Sequence, residues 1–311
     1  MRGSPHATQP ITLSIPYYSG FGMLRDTLRS IAAQRGAQVR VLVCDDSPDG
    51  LSAAERDEVI ALCGAFPARV LRNPQNLGMA RTWNRCLDDA DTDLVTIVHG
   101  DDELEDSYAS TMVALAAAHP EATAFFCGAK IMGSDRQPAL SFPDLYKELL
   151  VPRHAGTLTL AGDAALHSLM RGNYIFCPSV CYRRSRLGAH RFDPSYRMVL
   201  DMDLTTRLLL EGHTLVGIPK QRLYRYRRHA ENATQHLTKE LTRFREESAF
   251  YLAVARRAAA IGFARTARTA RKRRIIKLNL AFCILRDLSA GELADGRRKL
   301  ALLGQLLAPA R

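Results

Sequence analysis

Two pairs of neighbouring aspartates each follow a short apolar run in this sequence. Asp45 and Asp46 come directly after VLVC. Asp101 and Asp102 follow LVTIV, with His99 and Gly100 between. Compact β-branched runs of this length predict buried strands. The carboxyl ends of parallel strands meet along one crevice, so both pairs are expected to face it. Four converging carboxylates repel one another unless a cation or hydrogen-bond donors intervene, which predicts a divalent metal with oxygen ligands.

A second interpretation of such aspartates is structural, because Asp after a strand is also a common turn former and helix N-cap. For a single pair the structural interpretation would be preferred, but two pairs at successive strand ends favour a functional site. Strands are predicted at 11–15, 39–44, 70–71 and 94–98, and helices at 23–33, 52–63, 78–90 and 108–118. Alternation at this spacing requires a parallel sheet covered on both faces. Pro16 is expected to end the first strand because proline cannot donate to a ladder.

A third acidic pair opens a predicted helix further along the chain. Asp203 has Arg207 four residues later, at the spacing of a helical ion pair, whereas Asp201 has Thr205 at that position. By pattern alone, Asp201 is an acid at a helix N-terminus, where the helix dipole favours negative charge.

Taken in order, these residues resemble the family 2 glycosyltransferases of the GT-A fold. The resemblance spans about residues 11–235 and rests on SIPYY from Ser14, CDDS from Cys44, NLG from Asn76, GDD from Gly100, LDMDL from Leu200 and YRRH from Tyr226. Ser19 stands where asparagine is usual in the family, and Leu200 stands where an acidic residue often precedes the catalytic base. The resemblance implies an α/β fold with a Rossmann-like, mostly parallel sheet flanked by helices.

The same resemblance implies a division of the chain. Residues 1–237 would form the glycosyltransferase domain, with a nucleotide-binding half at about 11–130 and an acceptor half at about 131–237. Residues 238–311 would form a basic, amphipathic helical extension at the C-terminus.

Roles in nucleotide binding follow from the family pattern. Asp46 would contact the base, and a carboxylate that accepts the imide N–H of uracil or thymine favours a UDP- or dTDP-sugar. Pro16 and Tyr18 would line the base pocket, Arg81 would face the nucleotide, and Asp101 would contact the ribose or help to hold the cation.

Roles in catalysis follow from the same pattern. Asp201 becomes the general base that deprotonates an acceptor hydroxyl. Asp102 becomes the ligand of Mn²⁺ or Mg²⁺. His229 becomes a metal or diphosphate contact, although a lone histidine in a basic segment is as often a solvated surface residue.

The expected reaction is therefore inverting transfer of a sugar from a nucleotide diphosphate to a hydroxyl of a glycan, a lipid-linked acceptor or a small molecule. A nucleotidyltransferase of similar fold is one alternative, but it would normally show a basic, Gly-rich loop after the first strand. A non-enzymatic adaptor that binds a membrane or nucleic acid through its basic tail is another. The carboxylates at every expected position argue against the adaptor.

Charge is distributed unevenly along the sequence. Residues 221–311 hold 21 Lys/Arg against 7 Asp/Glu, a net charge of +14, whereas residues 1–220 carry −3. Basic residues beside a stripe of Ile276, Leu280 and Cys283 suit an anionic membrane surface, and packing of these helices on the body is the alternative. Nucleic acid is disfavoured because no recognition motif accompanies the charge.

The seven cysteines contain no CxxC pair and leave one cysteine over, which is typical of reduced thiols. The start of the sequence lacks the apolar stretch of a signal peptide. We therefore expect a cytoplasmic protein, located at the inner face of the membrane if the tail binds lipid.

Overall fold

The computed structural model describes residues 9–133, 135–138, 148–152, 156–228, 238 and 240–307. Its strands are β1 (Ile11–Tyr17), β2 (Val39–Asp45), β3 (Ala68–Arg72), β4 (Leu94–Ile97), β5 (Glu103–Leu104), β6 (Ala124–Met132), β7 (Leu158–Leu160), β8 (Val180–Arg183) and β9 (Leu215–Arg227). Within the described ranges they form one sheet in the order β3-β2-β1-β4-β8-β6-β9-β5, with β7 paired to β9. Strands β1 to β4 are mutually parallel, and β8 runs antiparallel to β4 and β6.

Helices cover this sheet on both faces. Those of the body are α1 (Phe21–Ala32), α2 (Ala53–Leu62), α3 (Met79–Asp88), α4 (Tyr108–Ala118), α5 (Gly162–Arg171), α6 (Arg184–Leu187) and α7 (Leu200–Leu210). Those of the C-terminal region are α8 (Thr242–Ala260), α9 (Ala264–Lys272), α10 (Arg274–Ser289) and α11 (Leu293–Leu307). The predicted α/β architecture and the helical C-terminal region are confirmed.

Apolar side chains point to both faces of the central strands, which explains why helices must cover both faces of the sheet. In β2, Val41 and Val43 pack in the core beside α1, α2 and α4, whereas Leu42 and Cys44 pack in the core beside α3, α5 and α7. A strand with apolar residues on both faces must be covered on both faces. The sheet is therefore fixed in place, and the ends of its strands are rigid supports for side chains.

Pro16 does not end β1, contrary to the prediction. Strand β1 continues to Tyr17, and Pro16 pairs with Cys44 of β2. Even-numbered residues of β1 direct their backbone groups toward β4, as the bond from Val98 N–H to the Ser14 carbonyl shows. The N–H that Pro16 lacks would point to the β4 side, beyond the last β4 residue Ile97, so its absence leaves the pairing of Pro16 with β2 intact.

The C-terminal helices pack on the body, which answers one question that the sequence left open. The stripe of Ile276, Leu280 and Cys283 is buried in the same core as Leu204 of α7 and Leu166 of α5. The described part of the chain contains no helix with the length and apolar character needed to cross a bilayer. The proposed boundary between residues 237 and 238 falls beside 229–237, which lie outside the described residues.

Candidate active site

Asp46, at the carboxyl end of β2, holds the loop that leads into α3. Its Oδ1 accepts hydrogen bonds from Asn73 Nδ2 and from the Leu77 backbone N–H, both at 2.7 Å, and its Oδ2 accepts one from Gly78 N–H at 3.1 Å. Gly78 has a φ of 77°, a conformation that favours glycine. Only 5% of Asp46 is exposed. Oδ2 accepts one hydrogen bond among the described residues, so it retains a lone pair for a further donor.

Asp45 is turned into the protein and does not face the crevice, contrary to the prediction for both members of the pair. It is fully buried. Its Oδ1 accepts from the Ser47 hydroxyl at 2.5 Å and from Arg72 Nη1 at 3.2 Å, and its Oδ2 accepts from Leu51 N–H at 2.7 Å. Asp45 therefore shapes the loop after β2, and its charge is balanced by Arg72.

Asp102, after β4, is also fully buried. Its Oδ1 accepts a hydrogen bond from the Arg227 backbone N–H at 2.7 Å, and its Oδ2 accepts one from the Tyr224 hydroxyl at 3.0 Å. Burial, together with the charge of Asp101, raises the pKa of Asp102 well above its usual value, and the two donors oppose that shift. Strand β9 thus clamps Asp102 in place.

His99 and Asp101 flank Asp102 on the more accessible side. Both side chains are partly exposed, and the ligand atoms of His99, Asp101 and Asp102 all lie within 4.8 Å of one another. His99 stacks on Trp83 with ring centroids 5.3 Å apart, and its buried Nε2 has no hydrogen-bond partner among the described residues. Burial lowers the pKa of His99, which favours the neutral imidazole that metals require.

Asp201 lies in the first turn of α7 and is partly exposed. Burial, followed by the charges of Asp201 and Asp102, raises the pKa of the Cys177 thiol. The Cys177 thiol therefore feels the charge of Asp201 on α7 and of Asp102 after β4. The raised pKa also keeps the Cys177 thiol protonated and unreactive.

Asp203 and Arg207 form the predicted ion pair, with Arg207 Nε 2.8 Å from Asp203 Oδ2. Only 4% of Asp203 is exposed. Arg207 also donates through Nη2 to the Arg191 carbonyl at 2.5 Å. Burial raises the pKa of Asp203, and Arg207 opposes the shift. The Asp203 side chain therefore lies on the buried side of α7, paired with Arg207.

Glu246 of α8 fixes the segment that enters α7. Its Oε1 accepts from the Met198 and Val199 backbone N–H groups at 2.6 and 2.9 Å, and its Oε2 accepts from Arg197 N–H at 2.9 Å. A carboxylate that collects donors at a helix N-terminus is stabilised by the helix dipole. The C-terminal region thus directly supports the turn that carries Asp201.

Four predicted site residues remain to be placed: Pro16, Tyr18, Arg81 and His229. Pro16 is partly exposed at the end of β1, and Tyr18, just beyond β1, is 56% exposed. Arg81 is exposed on α3, one turn after Gly78. His229 lies outside the described residues.

Four contributors were missed at the level of sequence: His99, Tyr224, Arg227 and Glu246. Arg227 donates through Nε to the Asp101 carbonyl at 2.8 Å and through Nη2 to Glu103 at 2.7 Å, so it positions the whole acidic segment. The run YRYRR indicated a strand, and the motif YRRH gave Arg227 no role of its own. His99 carried a usable signal, since it directly precedes the glycine before Asp101.

Solved structures with the same fold are glycosyltransferases. S. aureus TarS (residues 1–349) in complex with UDP-GlcNAc matches with a TM-score of 0.64 at 14% identity, covering 96% of this chain and 81% of TarS. The mannosyltransferase PcManGT from Pyrobaculum calidifontis, in complex with GDP-Man and Mn²⁺, matches with a TM-score of 0.58 at 15% identity, covering 98% of this chain and 86% of the other. The GT-A architecture is confirmed by this likeness.

Sequence comparison identifies the family. A curated relative, the uncharacterized protein MT1568 of Mycobacterium tuberculosis (strain CDC 1551 / Oshkosh), is 30% identical over 208 residues, which are 65% of this chain. The match spans 62% of the length of that relative. The family described as "Glycosyl transferase family 2" matches residues 12–166, which include β1 to β4 and both aspartate pairs after β2 and β4. Residues 12–166 of this chain therefore belong to glycosyl transferase family 2.

Proposed function

We propose that this protein transfers a sugar from a nucleotide diphosphate, with UDP- or dTDP-sugars favoured, to an acceptor hydroxyl with inversion at the anomeric carbon. The observation that carries the proposal is the set of predicted site residues at the carboxyl ends of β1, β2 and β4. Pro16, Asp46 and Asp101 lie at or just beyond these three strand ends, and Asp201 lies in the first turn of α7. Parallel α/β sheets bind nucleotides at such strand ends.

The metal would be held by Asp101 and His99 rather than by Asp102. Asp102 is fully buried and held by two donors of β9, whereas the side chains of Asp101 and His99 are partly exposed, and His99 Nδ1 lies 3.7 Å from Asp102 Oδ2. The Asp101 carboxylate is a ligand type that suits Mn²⁺ or Mg²⁺, and the imidazole of His99 would add a nitrogen ligand. When bound, the cation would neutralise charge that grows on the departing diphosphate.

Asp201 would act as the base. It would accept the proton of the acceptor hydroxyl while that oxygen attacks the anomeric carbon from the side opposite the diphosphate. The new carbon–oxygen bond forms as the bond to the diphosphate breaks, so the configuration inverts. The acceptor would bind in the half of the domain at about 131–237, which includes α7, and it would be a hydroxyl-bearing glycan, lipid-linked molecule or small molecule.

Titration calorimetry with nucleotide diphosphates tests the donor class. UDP or dTDP should bind more tightly in Mn²⁺ than in EDTA, and ADP should bind more weakly because its base has no ring N–H for Asp46. Equal affinities for UDP, dTDP and ADP would contradict recognition of the base by a carboxylate.

Asp46→Ala should weaken UDP binding by about 1.5–3 kcal/mol, because the base N–H loses its charged acceptor. The exposed neighbour Asp49 offers a matched control, since Asp49→Ala removes an equal charge from the same loop. Asp46→Ala also frees the loop at 73–78, so the melting temperature is recorded in parallel. If Asp46→Ala lowers the affinities for UDP and ADP equally, the variant acts through the loop at 73–78 and not through recognition of the base.

Glu246→Ala should lower kcat about 10- to 100-fold with little change in the donor KM, because the turn that carries Asp201 loses its anchor. Glu247→Ala, which breaks a 2.9 Å pair with Arg243 on the same helix, is the control. Partial rescue by Glu246→Gln, which keeps one acceptor oxygen, would distinguish positioning from general destabilisation. An unchanged kcat in Glu246→Ala would remove the C-terminal region from the active site.

The C-terminal helices would also bring the enzyme to an anionic membrane. Although their main apolar stripe packs on the body, Leu285 is 68% exposed on α10 and Leu300 is 56% exposed on α11, beside exposed arginines such as Arg297. Leu285→Gln with Leu300→Gln should weaken binding to phosphatidylserine vesicles at least about tenfold. Ile60→Gln, at a residue 50% exposed on α2, is the control, and equal vesicle binding by both variants would contradict the proposal.

A further inference from the structure

A second cluster of nitrogen and oxygen ligands lies away from the crevice. It comprises His190, Glu211 and His213, whose ligand atoms all lie within 4.8 Å of one another. His213 lies two residues before β9 begins. Because β9 runs in the same direction as β4, this is the end of the sheet opposite the carboxyl ends of β1, β2 and β4. The function proposed above makes no use of these residues.

Two tight turns hold the cluster in place. Gly212, with a φ of 86°, ends α7 so that the His213 backbone N–H donates to the Leu208 carbonyl at 2.9 Å. Gly188, with a φ of 58°, turns the chain after α6, and the His190 backbone N–H donates to the Leu187 carbonyl at 3.1 Å. The backbone at both histidines is therefore fixed by local hydrogen bonds.

Each imidazole is oriented through its Nδ1. His190 Nδ1 lies 2.8 Å from the Leu187 carbonyl oxygen, which can only accept, so Nδ1 carries the proton. His213 Nδ1 lies 2.8 Å from the Thr123 hydroxyl. Histidines that bind metals characteristically donate the other ring N–H to an oxygen in this way. His190 Nε2 already lies 2.8 Å from Glu211 Oε2. The ligand atoms of His190, Glu211 and His213 are close enough together for one ion to replace that contact.

We infer that His190, Glu211 and His213 form a binding site for Zn²⁺ or a similar transition-metal ion. Two imidazole nitrogens and one carboxylate oxygen are a ligand set that suits Zn²⁺, with a fourth position for water. Access from solvent is open, because the side chains of His190 and Glu211 are 21% and 48% exposed. The C-terminal end of α7, which bears partial negative charge, adds to the attraction for a cation.

The ion would join two parts of the structure that support the candidate active site. His190 precedes Phe192, whose backbone exchanges two hydrogen bonds with the Asn84 side chain of α3. Glu211 and His213 follow the last turn of α7, the helix that carries Asp201 at its other end. A bound metal would hold these two segments together and stabilise the folded chain.

The same residues could instead form only an ion pair, since His190 Nε2 lies 2.8 Å from Glu211 Oε2. His213 takes no part in that pair, so His213→Gln separates the two interpretations. Untagged full-length protein is titrated with ZnCl₂ in a calorimeter, and the melting temperature is measured with and without Zn²⁺. The control is His119→Gln, which removes a histidine paired with Glu121 at 3.2 Å where the described residues offer no second histidine to the pair.

Wild type and His119→Gln should bind one zinc equivalent that His213→Gln lacks, and Zn²⁺ should raise only their melting temperatures, by at least about 2 °C. Zinc held in the crevice is separated by repeating the titration in Asp101→Asn protein. If His213→Gln does not fold, Thr123→Val removes only the hydroxyl partner and should weaken zinc binding about 10- to 100-fold. Equal zinc binding by His213→Gln and wild type, or by Thr123→Val and wild type, would overturn the site.

Discussion

Asp201→Asn should lower kcat by about 10²- to 10⁴-fold and leave donor affinity nearly unchanged, because a general base contributes this much to proton transfer. The amide keeps the size and place of the side chain in the first turn of α7 but cannot accept the proton. Steady-state kinetics with varied donor concentration, together with calorimetry of UDP, would measure the two effects separately.

Asp203→Asn is the matched control, since it makes the same change two residues away on the same helix. Asp203 is 4% exposed and bound to Arg207 at 2.8 Å, so its loss should cost about 1.5–3 kcal/mol in the free energy of unfolding. The variant should keep most of its kcat at a temperature where it remains folded. Loss of turnover in Asp203→Asn with retained turnover in Asp201→Asn would exchange the two roles.

Removal of the metal should abolish turnover, and Asp101→Asn should lower kcat/KM by at least about 10²-fold in Mn²⁺, since a cation contributes several kcal/mol to stabilising a departing diphosphate. Mn²⁺ binding followed by electron paramagnetic resonance would report the ligands directly. We expect the Mn²⁺ affinity to fall in Asp101→Asn and in His99→Ala.

Asp102→Asn provides the comparison. Its carboxylate is fully buried and bound by Tyr224 and Arg227, so the change should reduce stability more than Mn²⁺ affinity. Weaker Mn²⁺ binding in Asp102→Asn with unchanged binding in Asp101→Asn would restore Asp102 as the ligand.

Local signals in the sequence predicted the elements well. Ser52 and Glu55 form a capping box at the start of α2, which matches the predicted start of a helix at residue 52. Helix α4 has the predicted bounds, Tyr108–Ala118. Such features depend on neighbouring residues alone, and the order of βαβ units then determines where the crevice must lie.

Distant contacts could not be predicted in this way. Asp101 and Asp102 are identical in type and adjacent in sequence, and only the partners from β9, more than 120 residues later, bury one of them. Glu246 is one of two adjacent glutamates on α8, and its role depends on how α8 packs against α7. The prediction for Pro16 failed because the end of β4, and not the proline itself, determines which backbone groups need partners.

The most direct test of the central claim is the release of nucleoside diphosphate from a panel of nucleotide sugars, measured in Mn²⁺ and in EDTA. We expect slow hydrolysis of at least one UDP- or dTDP-sugar in Mn²⁺, and we expect no release of diphosphate in EDTA or from Asp101→Asn. Absence of diphosphate release from every sugar in the panel, together with synthesis of a nucleotide sugar from a nucleoside triphosphate and a sugar 1-phosphate, would contradict it and identify a nucleotidyltransferase.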